Sequence, residues 1–211
     1  MKLVCLGDSL TGPAPGTRYL DKYIKWSDLL QVGLDAVFGE GRVEVLNQGK
    51  AGESSSGVCA SLEERLLRHF PDVVVLLIGA NNFGHNAPRE NASVRLRADL
   101  REIVRRAQAA GIRVLLLQYP VPRAEMMDKV WTHGDAGNPV VAEVAAETGT
   151  PLVDLRPVFA EAAKTCSLAS LASPVDGIHL NPGGEIVLAR AVLAKLRALG
   201  WPATWPVLAG A

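Results

Sequence analysis

Val73-Val74-Val75-Leu76-Leu77-Ile78 is an uninterrupted apolar run, and it is the clearest indication of the fold in this chain. Strands that are covered by helices on both faces are almost continuously apolar, because neither face of the sheet meets water. Ile112-Arg113-Val114-Leu115-Leu116-Leu117 has nearly the same character. Both runs therefore predict parallel strands in a sheet with helices on both sides.

Outward from these two runs, five short apolar segments alternate with helical segments along the chain. They occupy residues 2–7, 42–47, 72–78, 112–119 and 151–154. Strands that alternate with helices are typical of a parallel sheet inside a three-layer α/β sandwich. We therefore expect one domain over residues 1–211, built on five parallel strands.

Two helices have recognisable ends and apolar faces. Asn91 is expected to cap a helix that Gly111 closes. Asn181 and Pro182 are expected to begin a helix that ends near Gly200. The residues predicted to face the sheet are Leu96, Leu100, Ile103, Val104 and Ala107 in the first helix, and Ile186, Ala189, Leu193 and Leu196 in the second.

The composition argues against several classes of protein. With 211 residues, 48% of them hydrophobic and 21% charged, the chain can bury a substantial core. Lys plus Arg and Asp plus Glu each total 22, and the basic residues form no run, so nothing favours a nucleic-acid partner. A small, near-neutral ligand fits better, and no stretch is apolar for long enough to span a bilayer.

The amino terminus and the cysteines favour a cytoplasmic location. The apolar start of the chain meets Gly7 too soon for a secretory leader, although a leader removed earlier would place the protein in the periplasm or outside the cell. Cys5, Cys59 and Cys166 form an odd set without metal-ligand spacing, as expected in a reducing compartment. Cys5 is expected to act as a small apolar side chain in the first strand.

Ser9 is the best nucleophile candidate in the chain. It lies in Leu6-Gly7-Asp8-Ser9-Leu10, where the first strand gives way to a turn. A serine hydroxyl is a poor nucleophile near neutral pH, so it needs a base within hydrogen-bond reach and a partner that orients the base. His69, near the end of a helical pattern, fits a structural or surface role, and His85 and His133 fit solvated loops beside the cleft.

His179 is the strongest candidate for the base. It lies just before a helix that is expected to start at the sheet edge that carries Ser9. Asp176 precedes His179 by three positions, close enough to accept a hydrogen bond from Nδ1 of the imidazole. Taken alone, Asp176-Gly-Ile-His179 is better explained as a turn followed by a helix-start residue; in combination with Ser9 it favours a catalytic pair.

Two loops offer hydrogen-bond donors for an oxyanion. They are Asn47-Gln-Gly49-Lys-Ala-Gly52 and Gly79-Ala-Asn81-Asn82, and each follows an apolar strand. The backbone N–H of Gly52 and the side-chain amide of Asn81 could both reach a developing negative charge. Either loop alone is as well explained as a glycine-rich turn.

Together, Gly7-Asp8-Ser9-Leu10, Gly52, Asn81 and Asp176-x-x-His179 resemble the four sequence blocks of the SGNH, or GDSL, hydrolase family. The resemblance covers nearly the whole chain and implies a flavodoxin-like sheet of five parallel strands, with no metal and no cofactor. It also implies that Ser9 is the nucleophile, His179 the base and Asp176 its partner. The implied oxyanion hole consists of the Ser9 N–H, the Gly52 N–H and the Asn81 side chain.

The chain departs from the family pattern at Asn82, where the third block usually continues with aspartate. This departure affects the support of the loop and leaves the oxyanion donor in place. In the second block, alignment places Gly52 in the hole ahead of Gly49.

These observations predict a serine esterase that cleaves acetyl or other short-chain esters. The runner-up activities are a lysophospholipase or a thioesterase, because the long loop at residues 120–137 carries Met126, Met127 and Trp131 and could line an acyl groove as well as simply pack down. A non-catalytic flavodoxin-like binding module is the competing class. The expected partner is a small ester, and Trp201 and Trp205 could pack on the domain or form a contact between copies in a homo-oligomer.

Overall fold

The computed structural model describes residues 1–12, 24–83, 89–120, 135–174 and 176–203. Its five strands are β1 (Lys2–Gly7), β2 (Glu44–Gly49), β3 (Val73–Leu77), β4 (Arg113–Leu117) and β5 (Leu152–Val153). All neighbouring pairs are parallel, in the order β2-β1-β3-β4-β5. This is the strand order of flavodoxin-like folds, and it confirms the predicted architecture.

The described helices connect these strands and cover both faces of the sheet. They are α1 (Trp26–Phe38), α2 (Ser55–Ala60), α3 (Leu62–Arg65), α4 (Arg89–Ala109), α5 (Asn138–Thr148), α6 (Leu155–Ala162), α7 (Leu168–Leu171) and α8 (Pro182–Ala198). Short 3₁₀ turns occupy Leu67–His69 and Ala80–Phe83.

The alternation of side chains along the strands divides the core into two halves. Leu3 and Cys5 of β1 point into a cluster with Leu30 and Leu34 of α1, together with residues of α6 and α8. Val4, between them on the same strand, points into the opposite cluster, which the apolar residues of α2 to α5 complete. Since successive side chains of a strand lie on opposite faces, an unbroken apolar run is what two covered faces require.

The predicted face of α4 is confirmed. Leu96, Leu100, Ile103, Val104 and Ala107 are all buried against the sheet. Gly111 closes the helix as expected: its backbone has φ 77°, and the N–H of Ile112 reaches back to the carbonyl of Ala107. The expected start is wrong, because α4 begins at Arg89 and Asn91 lies inside its first turn. Arg89 and Glu90 favour helix, which lets it extend past the polar residue that resembled a cap.

Helix α8 begins at Pro182 and ends just before Gly200, as predicted. Ala189 and Leu196 of its predicted inner face are buried, but the face differs at the start of the helix. Ile186 is 46% exposed, while Leu188 and Val192 are fully buried. Glu185 occupies an inward position because its carboxylate is paired with Lys25. The apolar pattern therefore predicted Ile186 at a position on the inner face that the paired Glu185 occupies.

All predicted strand boundaries lie within two residues of the observed ones, and β2 alone is displaced by two residues at both ends. Its predicted segment ended at Asn47, but the pairing with β1 continues through Gln48 and Gly49. β2 is an edge strand that is only partly buried, so polar residues can occupy it without loss. In the part of the chain that is described, no helix is long and apolar enough to cross a membrane.

Candidate active site

The turn after β1 presents Ser9 at the carboxyl edge of the sheet. The Asp8 carboxylate accepts a hydrogen bond from the Leu10 N–H at 3.0 Å, and its backbone carbonyl accepts two more, from Thr11 at 3.0 Å and Gly12 at 2.8 Å. A side chain at Gly7 would meet the carbonyl oxygen of Leu77 at 2.3 Å, so only glycine allows β1 to pass β3 this closely before the turn.

The structure brings the three predicted triad residues together. Ser9 Oγ lies 2.8 Å from His179 Nε2, and His179 Nδ1 lies 3.0 Å from Asp176 Oδ2. The second carboxylate oxygen of Asp176 accepts the backbone N–H groups of Ile178 and His179, both at 2.9 Å. The carboxylate thus holds both the ring and the backbone of His179.

The surroundings of Asp176 favour its charged form. Burial alone would raise the pKa of Asp176, but hydrogen bonds from the His179 ring and from the two backbone N–H groups outweigh it and lower the pKa below its ordinary value. A carboxylate that stays ionised can stabilise an imidazolium beside it.

Residues before α8 fix the approach of the chain to His179. Ala172 and Leu180 form an isolated antiparallel bridge, and the N–H of Ser173 donates to the carbonyl of His179 at 2.8 Å. Asn181 stands at the N-cap position as predicted, yet its side chain donates instead to the carbonyls of Ala169 and Ala172. Asn181 therefore secures the histidine loop against α7 rather than capping α8.

The two candidate oxyanion loops lie next to each other at the same edge. Asn81, on the turn Ala80–Phe83, donates through Nδ2 to the carbonyl of Glu53 at 2.8 Å, and the same nitrogen lies 3.5 Å from Asp8 Oδ2. Gly52 has φ 73°, a conformation that favours glycine. The N–H of Gly49 donates to the side chain of Asn47 at 2.9 Å, so it is already committed within β2.

Asn82 is supported by a carboxylate from another part of the chain. Its side chain accepts the N–H of Ser55 at 3.0 Å and donates to Ser55 Oγ at 2.7 Å. Ser55 Oγ then donates to Asp99 Oδ2 at 2.6 Å, as does Ser56 Oγ. Asp99 of α4 thus supplies a negative charge near the position where the family usually carries an aspartate.

Sequence reasoning missed a buried group beside Ser9. Asp8 is 1% exposed, and the hydroxyl of Tyr119, beyond the end of β4, donates to its Oδ2. Burial raises the pKa of Asp8 to about 6, although hydrogen bonds from Tyr119 and Leu10 and the charges of His179 and Lys25 act in the opposite direction. Asp8 lies in the Gly7-Asp8-Ser9 block, but no local pattern identifies Tyr119 as its partner.

A buried ion pair beneath Ser9 was missed as well. Lys25 Nζ lies 2.8 Å from Glu185 Oε1 and donates to the backbone carbonyl of Ser9 at 3.3 Å. The other oxygen of Glu185 accepts the N–H of Trp26, the first residue of α1, at 2.8 Å. The pair joins the turn that carries Ser9 to the helix that follows His179.

The remaining sequence candidates lie away from the triad or outside the described residues. His69 ends a 3₁₀ turn, and its ring is 3.5 Å from the Gln48 side chain. His85, His133 and most of the loop at 120–137 fall outside the described residues. Within the described ranges, no group of three or more His, Cys, Asp or Glu side chains could hold a metal ion.

Comparison with known proteins places this geometry in a family. The model of the GDSL-like lipase/acylhydrolase family matches residues 5–185. The chain belongs to this family. That match runs from β1 into the first turn of α8 and so includes Ser9, Asn81, Asp176 and His179.

Individual proteins similar to this chain are named as esterases or hydrolases. An acetylxylan esterase from Geobacillus stearothermophilus is 29% identical over 92% of this chain and 93% of its own length. A structure of a catalytic mutant of that esterase, with serine replaced by alanine, superposes with a TM-score of 0.75 at 26% identity, over 92% of this chain and 93% of the other. The structure of an α/β hydrolase from the metagenome of Lake Arreo, Spain, superposes with a TM-score of 0.75 at 27% identity, over 94% of this chain and 95% of the other. These likenesses support esterase activity for this member of the family.

Proposed function

We propose that this protein is a serine esterase that cleaves acetyl or other short-chain carboxylic esters through an acyl-enzyme intermediate. One observation carries the assignment: hydrogen bonds run from Ser9 Oγ to His179 at 2.8 Å and on to Asp176 at 3.0 Å. In the Geobacillus esterase, replacing an aspartate and a histidine three positions apart gives catalytic mutants, and Asp176 and His179 have the same spacing.

Acylation begins at Ser9. Its oxygen attacks the ester carbonyl, and its proton passes to Nε2 of His179 as the new C–O bond forms. The Nδ1–H of His179 donates to Asp176 throughout, so the ring presents an unprotonated Nε2 to the serine. When the tetrahedral intermediate collapses, the ester C–O bond breaks and the leaving alcohol takes the proton from Nε2.

The negative charge of the tetrahedral intermediate needs donors that are already in place. The backbone N–H groups of Ser9 and Gly52 and the Nδ2 of Asn81 fill this role in the proposed mechanism. Gly49 is left out because its N–H already donates to Asn47. Each such donor typically lowers the barrier by about 3 kcal/mol.

Deacylation repeats the same chemistry with water. His179 removes a proton from a water molecule as its oxygen attacks the acyl carbon, and the bond to Ser9 Oγ then breaks. Ser9 recovers its proton from His179, and the carboxylic acid leaves. No metal or cofactor takes part in these steps.

An acetyl ester is the first substrate candidate. The relative that matches over 92% of this chain is an acetylxylan esterase, so acetyl groups on a carbohydrate are the natural class to test. A series of p-nitrophenyl esters of increasing chain length separates this assignment from an enzyme for long acyl chains. A maximum at eight carbons or more would instead favour lysophospholipid or acyl thioester substrates.

The decisive test is the identity of the nucleophile. We expect a fluorophosphonate probe to label the protein at the peptide that contains Ser9, and Ser9→Ala to lower kcat for p-nitrophenyl acetate on the order of a thousandfold or more. Ser170→Ala, at an exposed serine of α7, is the matched control and should behave like the parent. A parent protein inert to both the probe and the ester, or a Ser9→Ala variant as active as the parent, would overturn the proposal.

A further inference from the structure

Tyr119 is a buried tyrosine whose backbone N–H and carbonyl both bond to one side chain. It follows β4 and is 1% exposed. Its backbone N–H donates to Asn138 Oδ1 at 2.7 Å, and its backbone carbonyl accepts from Asn138 Nδ2 at 3.0 Å. Asn138, at the start of α5, is itself 1% exposed and donates nothing else from that amide to the described residues. One buried side chain therefore satisfies both backbone polar groups of Tyr119 and fixes the backbone from which the ring extends.

The hydroxyl of Tyr119 is aimed at the carboxyl group beside the nucleophile. It donates to Asp8 Oδ2, while Asp8 Oδ1 accepts the N–H of Leu10 at 3.0 Å. Each carboxyl oxygen thus has a donor. Asn81 Nδ2 lies 3.5 Å from the same Oδ2, at the outer limit of a hydrogen bond, and directs its short bond to Glu53 at 2.8 Å. Since an amide has two N–H groups, this leaves one that is only weakly engaged.

We propose that Tyr119 is a positioning residue that keeps the Asn81 amide available to the oxyanion by occupying the Asp8 oxygen that would otherwise attract it. The inference rests on the proposed function, in which Asn81 is an oxyanion donor. Tyr119 and Asp8 do not touch the substrate in this scheme. They act by setting the direction of one N–H bond of the Asn81 side chain.

The Asp8 carboxyl group competes strongly with the oxyanion for the Asn81 amide because it is buried. A buried carboxylate with an unfilled lone pair is costly, and a charge-assisted hydrogen bond is roughly twice as strong as a neutral one. Burial raises the pKa of Asp8 to about 6, so above that pH the group is mostly the charged form that competes for the amide. Among the described residues, Asn81 is the one other side chain that donates to Oδ2, at 3.5 Å.

Tyr119→Phe tests the inference because it removes only the hydroxyl and keeps the ring in the core. We expect kcat for p-nitrophenyl acetate to fall by about tenfold to a hundredfold, with KM nearly unchanged, since a transition-state donor is lost and ground-state binding is not. In an Asn81→Ala background, the same Tyr119→Phe change should have no further effect, because the donor on which it acts is absent. An equal fold-loss in both backgrounds would show a general structural defect and overturn the inference.

A crystal structure of Tyr119→Phe provides a readout that does not depend on activity. We expect the distance from Asn81 Nδ2 to Asp8 Oδ2 to shorten from 3.5 Å to a normal hydrogen bond of about 2.9 Å. An unchanged distance, or a shortened distance with unchanged kcat, would overturn the inference. A parent protein without esterase activity would defeat the proposed function and, with it, the role of Tyr119, whereas failure of the variant alone would leave Ser9, His179 and Asp176 as proposed.

Discussion

At the scale of single residues, the site combines groups that local sequence reveals with groups that it does not. Ser9, Asp176 and His179 were predictable because each lies in a short block of characteristic residues. Tyr119 was not, since a tyrosine after a strand is ordinary until the fold places Asp8 against it. Lys25 and Glu185 were hidden for the same reason, because their significance lies in a contact between residues 160 positions apart.

Because of Asp8, the folded protein should be less stable at neutral pH than at acidic pH. Its pKa is raised from 3.8 to about 6, so the folded state binds the proton more tightly than the unfolded state. The stabilisation that the protonated Asp8 provides is complete below pH 3.8 and is lost as the pH rises through 6. The free energy of unfolding changes by about 3 kcal/mol over this range. Asp8→Asn removes this titration, so its free energy of unfolding should fall less than that of the parent between pH 4 and pH 8.

Urea denaturation of the parent and Asp8→Asn across that pH range measures the difference. The interpretation predicts that the two curves diverge in favour of the variant as the pH rises. Parallel curves would mean that the buried carboxyl group keeps an ordinary pKa.

At the scale of elements, α1 and α8 are joined by a buried ion pair as well as by apolar packing. Lys25 and Glu185 are 9% and 1% exposed at their side chains, and Glu185 also accepts the first N–H of α1. An anion at a helix amino terminus is favourable, so the one carboxylate both neutralises a lysine and complements the helix. This explains why the start of α8 turns a charged residue inward, where the apolar pattern predicted Ile186.

Glu185→Ala should destabilise the protein by about 3–5 kcal/mol, because it leaves the Lys25 ammonium buried without its partner. Chemical denaturation at pH 7 measures the change. The matched control is Glu147→Ala, which breaks an exposed pair with Arg101 and should cost no more than about 1 kcal/mol. Similar losses in the two variants would refute a special contribution from the buried pair.

At the scale of the whole molecule, the fold could be predicted from the sequence because helices cover both faces of the sheet. Continuous apolar runs predicted β3 and β4, and the alternation of strands and helices predicted the three layers. The boundaries of β2 were missed because an edge strand needs no apolar pattern. Loop contacts such as those of Ser55 with Asn82 and with Asp99 depend on tertiary proximity, which no local pattern contains.

The sheet separates the core into two halves that should respond independently to substitution. Leu34 of α1 is fully buried on one side, and Leu100 of α4 is 1% exposed on the other. Each Leu→Ala change should cost about 2–5 kcal/mol, and the double variant should lose the sum of the two because the side chains share no neighbours. Urea denaturation of the single and double variants tests this, and a clearly non-additive double variant would indicate that strain passes through the sheet.

The separation of Ser9 from His179 by 170 positions has a consequence during synthesis. In the proposed assignment, the ribosome makes the nucleophile first and the base only after all five strands. The nascent chain therefore carries an unreactive Ser9 until the segment that contains His179 packs against the turn after β1. Hydrolysis of a chromogenic ester would then report the arrival of that segment.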